Sequence, residues 1–316
     1  MSDLVSLSLR TAALEAVDHG LDSLQESVES NGAWPLEWHR STGPAESKTP
    51  PFLTGLGMLA LEVCDHCQAR GILSRSRDFL VSSMKYPGLW CWPPHPLDLD
   101  STAVCALALG PHSHPWMFFG RSIPRILSCR DGRGRFPLWT GRLGPFGIPD
   151  DNNYDPVINA NVIAYLGDRA ETRPAQRWIE SLITENRVSD ATSTWYAPMD
   201  LYYFVSRAIR TGEPAFEGLR AILPARIVSA SPGNALRVAQ AVSALCVLSD
   251  TTHVDFLRRC TEKLIDMQQP DGGWPSCEFT RAPGGVRIHL SRALTTANCI
   301  EALTRLTRPC NAHPGD

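Results

Sequence analysis

Six segments of this chain are apolar nearly all round and rich in small residues: "TGLGMLALEVC" from Thr54, "STAVCALAL" from Ser101, "NANVIAYLG" from Asn159, "DLYYFVSRAI" from Asp200, "NALRVAQAVSALCVL" from Asn234 and "TTANCIEALTRL" from Thr295. A helix that is hydrophobic on every side must be surrounded, so each of these segments predicts a buried helix. They alternate with segments of a second kind, such as "LRTAALEAVDHGLDSLQESV", "ILSRSRDFLVSSM", "RPAQRWIESLITE", "AFEGLRAILPARIV" and "HVDFLRRCTEKLIDMQ". These place apolar residues at three- and four-residue spacing and leave a polar face, the pattern of a surface helix. The stretch 116–129 is a poorer sixth member. β-Branched alternation is scarce, and no convincing strand stands out.

Aromatic, glycine-rich loops lie between the two kinds: "ESNGAWP", "YPGLWCWP", "RDGRGRFPLW", "SDATSTWY" and "QQPDGGWP". The self-similarity has a period of roughly 35 to 60 residues, the scale of helical repeat units. Thr102-Ala103-Val104-Cys105, Asn159-Ala160-Asn161-Val162 and Thr296-Ala297-Asn298-Cys299 superpose when the ends of their segments are matched. Six outer helices wrapped around six inner ones bury every apolar segment if the ring closes. An open solenoid would need polar capping repeats, and none is visible. The expected fold is therefore all-α, a single (α/α)6 toroid with six inner and six outer helices. The repeats run from about residue 9 to 307, which reads as one barrel domain over residues 1–316.

Composition narrows the function. The formal net charge of −3 is spread along the chain, so no basic stripe suits nucleic acid and no polybasic tail suits an anionic membrane. The first twenty residues lack the basic and apolar regions of a secretory signal. The longest charge-free run, Ser101 to Gly120, holds two prolines and two histidines and is no transmembrane helix. Most of the ten cysteines sit in apolar helical text, as buried thiols of a reducing cytosol do. Cys64 and Cys67 have metal or redox spacing but lack a second ligand pair, and read as two thiols at a helix end. A cytoplasmic location is expected. Peripheral membrane contact and a homodimer both stay open.

Three motifs resemble a known family. "QQPDGGW", Gln268 to Trp274, is similar to the Q-x-x-x-G-x-W (QW) motif of squalene–hopene and oxidosqualene cyclases. "LDLDSTA" resembles the D-x-D-D-T-A motif of class II terpene cyclases, and "TTANCIEAL" resembles the helix that follows their QW motif. The resemblance is to the terpenoid cyclase and protein prenyltransferase superfamily, and implies an α/α toroid of that type. It places the family's proton donor, its middle aspartate, on Asp100. The family's third acidic position is Ser101 here. Squalene–hopene cyclases have two such barrels, and this chain has room for one. Protein prenyltransferase β subunits are single barrels that bind zinc through Asp, Cys and His. Cys277 and His289 lie near the right loop, but no matching Asp-x-Cys step is present, so that reading ranks below the cyclase one.

Protonating an alkene needs a strong acid in a dry pocket. An ordinary aspartate, with a pKa near ~3.9, is mostly ionised at neutral pH. Asp98 and Asp100 could raise each other by like charge and share a proton, while the helix N-terminus opposes this. Asp100 would be the acid and Asp98 its hydrogen-bond partner. Ser101 offers a hydroxyl in place of a third charge, so the proton on Asp100 should be held less firmly than in the family. The competing reading of "PLDLDST" is a helix N-cap, and both can hold if Asp98 caps while Asp100 points inward.

Asp155 takes the place of Asp98 when the repeats are matched. "DNNYD", Asp151 to Asp155, also resembles a degraded aspartate-rich motif of class I terpene synthases, whose oxygen ligands suit Mg²⁺ on a diphosphate. Turn chemistry before Pro156 competes with that reading. Protonation itself requires no cofactor; Mg²⁺ at Asp151 and Asp155 is a candidate only. Asp98, Asp100, Asp151 and Asp155 should meet at one mouth of the barrel. Trp92, Trp195, Tyr196, Tyr202 and Tyr203, with Asn159 and Asp155, are the candidate substrate contacts, because aromatic faces stabilise a cation without trapping it. Trp34 and Trp274 read as fillers between repeats, and Gly272 and Gly273 as turn glycines. Arg207 and Arg237 lie in apolar inner segments and need partners. An acidic neighbour is the plainer partner, and an anionic head group is the functional one.

The function read from these features is a class II-like terpene or meroterpenoid cyclase in natural-product biosynthesis, an isomerase or lyase acting on a C15 to C20 prenyl chain or a prenylated small molecule. The alternative is a non-catalytic or repurposed barrel of the same fold, which binds or cyclises another natural-product intermediate.

Overall fold

The structure, a computed structural model, describes residues 6–40, 46–110, 122–140, 154–191, 195–210, 215–281 and 287–307. In chain order its elements are α1 (Leu7–Ser27), β1 (Leu36–Arg40), β2 (Glu46–Lys48), α2 (Pro51–Leu61), α3 (Cys67–Ser83), β3 (Trp90–Cys91), β4 (Leu97–Asp98) and α4 (Leu99–Leu109). After these come α5 (Ser122–Ser128), α6 (Pro156–Leu166), α7 (Arg173–Thr184), the one-turn α8 (Val188–Ala191), α9 (Pro198–Arg210), α10 (Leu223–Ser229), α11 (Ala235–Val247) and α12 (Val254–Asp266). The last elements are β5 (Cys277–Arg281), β6 (Arg287–Ser291) and α13 (Arg292–Thr307).

The apolar segments are the inner helices α2, α4, α6, α9, α11 and α13. Each packs on the next, and α13 packs back on α2, so the ring closes. Every residue of α2 is buried, as an all-round apolar helix requires. The outer helices bury one stripe each; α7 buries Ala175, Ile179, Leu182 and Ile183 at helical spacing. Local signals set the ends. Asp98, Asp155 and Asn234 cap α4, α6 and α11 through their side chains. Pro156 opens α6, and Gly110 and Gly167 stop α4 and α6 with positive φ.

Two expectations are corrected. "AFEGLRAILPARIV" is not one helix: Phe216 has φ 61°, a 3₁₀ turn follows at Glu217–Leu219, and Pro224 opens α10 anew. Strands are also present. A four-stranded antiparallel sheet runs β2-β1-β6-β5, and β3 pairs with β4. In the larger sheet Glu37 lies opposite Leu290, and Glu278 opposite Leu290 on the other side. The sheet thus joins the first repeat to the last.

One staple recurs. The backbone N–H of Trp34 donates to Thr54 Oγ1 (3.1 Å), that of Trp90 to Thr102 Oγ1 (3.0 Å) and that of Trp274 to Thr296 Oγ1 (3.2 Å). In the third repeat Phe136 N donates to Asn159 Oδ1 (2.8 Å). Each staple fixes an aromatic loop to the first turns of an inner helix. In the QW loop, Gln268 Nε2 donates to the carbonyls of Ala16 (2.8 Å) and Gly272 (2.7 Å), and Trp274 Nε1 donates to Leu264 O (2.7 Å). Gly272 has φ 82°, and a Cβ there would lie 2.3 Å from the carbonyl oxygen of His19, so only glycine fits.

Candidate active site

Asp100 lies in the first turn of α4 and is 4% exposed. Asn161 Nδ2, from α6, donates to its Oδ1 at 2.8 Å, and the Tyr196 hydroxyl donates to its Oδ2. Asp98 caps the same helix: its Oδ1 accepts from Ser101 N (2.6 Å) and its Oδ2 from Trp92 N (2.9 Å). Asp155 caps α6 by accepting from Val157 N (2.7 Å), and its buried Oδ2 has no partner among the described residues. Asp98, Asp100 and Asp155 come together because α4 and α6 start on one rim. Asp151 lies outside the described residues.

Burial dominates the acidity of all three carboxyls. Desolvation pushes Asp98 up to about 7, with the charge of Asp100 adding to it against the bonds from Ser101 and Trp92. Asp155 rises to about 7 for the same first reason, and Asp100 again adds to it. Desolvation lifts Asp100 to about 6, opposed by its bonds from Tyr196 and Asn161. A cluster of this kind holds protons well above the usual carboxylate range, at Asp98 and Asp155 up to about 7 and at Asp100 up to about 6. The two donors on Asp100 favour its carboxylate, the form left after a proton has been given away.

The expected pairing of Asp98 with Asp100 takes a different form. Both oxygens of Asp98 serve the backbone, and the hydrogen bonds to Asp100 come from Asn161 and Tyr196. Ser101 also donates its hydroxyl toward Asp98. Sequence reading singled out Tyr196 as an aromatic and not as a donor to the acid. Asn161 carried a signal that was passed over, a buried amide on an otherwise apolar helix.

A cavity adjoins this cluster. Tyr196, Asp200, Tyr203, Phe204, Arg207, Gln240, Leu56, Phe279, Leu294 and Asn298 line it. It is narrow. Tyr196 ties it to Asp100. On α9 the spacing of Asp200, Tyr203, Phe204 and Arg207 turns one helix face inward. Tyr202 falls on another face, toward Arg226 of α10, and is not among the lining residues. Asn159 is also corrected: its amide holds the backbone of Phe136 and the carbonyl of Asp155. Trp92 stacks near Phe52 (5.8 Å), His289 (5.1 Å) and Phe279 (6.5 Å), behind the cavity wall. Trp195 packs with Leu138, Trp139 and Ile158, and its carbonyl anchors β5 by accepting from Arg281 N. Phe279 was missed because it lies on a strand that the apolar periodicity does not announce.

Two buried networks frame the cavity. Arg237 pairs with Asp200 and donates to Gln240 Oε1 (2.9 Å), while Gln240 Nε2 donates to Asp200 Oδ1 (3.0 Å). Here the acidic neighbour is the partner. The second network crosses the ring. Arg207 donates to the Tyr203 hydroxyl, Tyr203 donates to Glu301, and Arg305 pairs with Glu301 at 2.8 Å.

Of the two residues read as Mg²⁺ ligands, Asp151 and Asp155, only Asp155 is among the described residues. The oxygens of Asp98 and Asp100 already accept hydrogen bonds, and Asp155 offers only Oδ2. No three His, Cys, Asp or Glu side chains among them cluster as metal ligands. Cys277 and His289 sit on paired strands opposite Ser291 and Thr280.

The closed α/α ring is the fold of type II terpene cyclases. A variant of the type II terpene cyclase MstE from Scytonema, bound to its substrate geranylgeranyl dihydroxybenzoate, superposes with TM-score 0.75 at 15% identity, covering 96% of this chain and 99% of that one. The ent-copalyl diphosphate synthase of Streptomyces platensis superposes with TM-score 0.53 at 15% identity, over 84% of this chain and 51% of that one. In sequence, the drimenol cyclase drtB of Aspergillus calidoustus is 26% identical over 217 residues, which is 66% of this chain and 38% of that protein. The chain thus matches well under half the length of this curated relative. No family model matches the chain. Among the described residues no helix is long and apolar enough to cross a membrane.

Proposed function

We propose that this chain is a class II-like terpene or meroterpenoid cyclase, a single barrel over residues 1–316 that starts cyclisation of a C15 to C20 prenyl chain by protonation from Asp100. One observation carries the reading: Asp100 is buried, both of its oxygens are held by donors, and one of those donors, Tyr196, lines the cavity. Burial raises the pKa of Asp100 to about 6, so the acid carries its proton below that pH. As the proton moves to a terminal alkene carbon, the alkene π pair forms the new C–H bond and a tertiary cation remains. Asn161 and Tyr196 stabilise the carboxylate that forms, which favours the transition state over the ground state. The next double bond attacks the cation and closes a ring. Loss of a proton from the final cation balances the first transfer. The ring of Phe279, on the cavity wall, offers an aromatic surface to the travelling charge.

The test compares the chain with Asp100→Asn, incubated with farnesyl and geranylgeranyl diphosphates and with linear meroterpenoids. The amide keeps shape and removes the acidic proton. Cyclised product from the wild type alone supports the reading, and equal product from both ends it. The narrowness of the cavity favours a second reading, a repurposed barrel that binds another intermediate. Product from neither protein would move the assignment there.

A further inference from the structure

Arg207 is 5% exposed and lines the cavity, yet its Nη1 has no hydrogen-bond partner among the described residues. Its neighbours leave it unneutralised. Glu301 is already paired with Arg305, and Arg207 reaches it only through the Tyr203 hydroxyl. Asp200 is held by Arg237 and Gln240. Of the three guanidiniums Arg207, Arg237 and Arg305, Arg207 is the one with no carboxylate bonded directly to it among the described residues. The rings of Tyr203 (4.7 Å) and Phe204 (5.4 Å) hold the Arg207 guanidinium in place from its face. Asn298 lines the same cavity with its Oδ1 buried and unpartnered, beside its own Nδ2 bond to Leu294 O. A buried cation with a free donor is costly unless something occupies it.

Position adds to the argument. Asp100 sits in the first turn of α4 and is touched by Tyr196, just ahead of α9. Arg207 lies seven residues beyond Asp200 on α9, about 10 Å further along the helix axis. Tyr196, which holds the acid, and the Arg207 guanidinium thus line the same cavity at different heights along the axis of α9.

We infer that Arg207 and Asn298 form a head-group subsite that takes a singly charged oxyanion, a carboxylate, carried on the prenyl chain whose far end meets Asp100. Arg207 Nη1 donates to the oxyanion, and Asn298 Oδ1 accepts from a neighbouring hydroxyl of the head. One free guanidinium donor matches a single oxyanion and not the several charges of a diphosphate.

The inference rests on the prenyl reading of the cavity, so the test is binding and not turnover. In the Asp100→Asn background, titration calorimetry with farnesoate, farnesol and farnesyl diphosphate compares Arg207 with Arg207→Met and Arg207→Lys. Farnesoate should bind about tenfold to a hundredfold tighter than farnesol. Arg207→Met should erase that preference by weakening farnesoate far more than farnesol, and Arg207→Lys should keep most of it. Arg207→Met should also melt higher, because a half-satisfied buried charge is gone. A farnesoate preference that survives Arg207→Met overturns the subsite. Equal binding of farnesol and farnesoate to the parent overturns it too, with the prenyl cavity intact. If no prenyl ligand binds, both the cavity reading and the subsite fall. Tighter binding of farnesyl diphosphate that depends on Arg207 overturns the single-charge assignment.

Discussion

Asn161 donates to Asp100 across 2.8 Å between two neighbouring inner helices. With Tyr196 on the other oxygen, Asp100 is fixed in direction and its two oxygens are unequal in surroundings. Either donor can be removed without touching the carboxyl itself, which makes the acid testable by its neighbours.

Tyr196→Phe should lower the cyclisation rate about a hundredfold, the usual effect of losing one donor to a developing charge. The pH profile gives the sharper reading. Asp100 must be protonated to act, so the rate should fall as pH rises through about 6. Tyr196 favours the carboxylate, so its removal should move that fall to higher pH while the plateau drops. A profile that keeps its midpoint would break the link between Tyr196 and the acid.

Stability should also depend on pH in a defined direction. Asp98, Asp100 and Asp155 all have folded pKa values raised above the ordinary 3.8. Between about 4 and 7 the folded chain binds more protons than the unfolded one, so these groups lose stability as pH rises through that window. Asp155→Asn keeps a capping side chain and removes one titrating group. Thermal melts should show a shallower decline from pH 5 to pH 8 in the variant than in the parent. A steeper decline would contradict the burial argument.

The staples should carry measurable stability. Thr102→Val leaves Trp90 N unpaired in the core, and Thr296→Val does the same to Trp274 N. Each should cost about 1–3 kcal/mol in denaturant unfolding. Thr→Ser at either position should recover most of it. If serine is destabilising and valine is not, the methyl and not the hydroxyl matters.

Ser101→Asp restores a third carboxylate beside Asp98. Ser101 is 1% exposed, so the new charge would be buried among like charges. The variant should shift the pH limb upward and melt lower at pH 8 than at pH 5. Higher turnover at neutral pH would identify the missing charge as what weakens the acid. Lost turnover with an unmoved limb would assign the serine another role.

Much of this was legible in the sequence, for a physical reason. An all-round apolar segment of helical length has one stable environment, so α2, α4, α6 and α11 could be placed to within a few residues. The match of Thr102, Asn159 and Thr296 could be read as well, because each begins the same turn of a repeat. Its meaning could not: only the fold shows Asn159 bonded to a loop. The strands β1, β5 and β6 were hidden because they are short and charged, and β1 pairs with β6 across some 250 residues of sequence. Phe279 went with them. Arg207 and Arg237 looked alike in the sequence, and only the fold shows that Arg237 has a carboxylate of its own.

Closure of the ring has a consequence for how the molecule acquires its pocket. Leu56 on α2, Asp200 to Arg207 on α9, Gln240 on α11 and Asn298 on α13 all contribute wall, and β1 joins β6 across the seam. An open array of repeats can fray at one end and keep a working surface at the other. Here no arc of the ring encloses anything. The pocket, the crossing bond from Tyr203 to Glu301 and the seam sheet each draw on elements that are distant in sequence and adjacent only in the closed ring. Ligand affinity should therefore vanish at the same denaturant concentration as the helices, with no partly unfolded species that still binds.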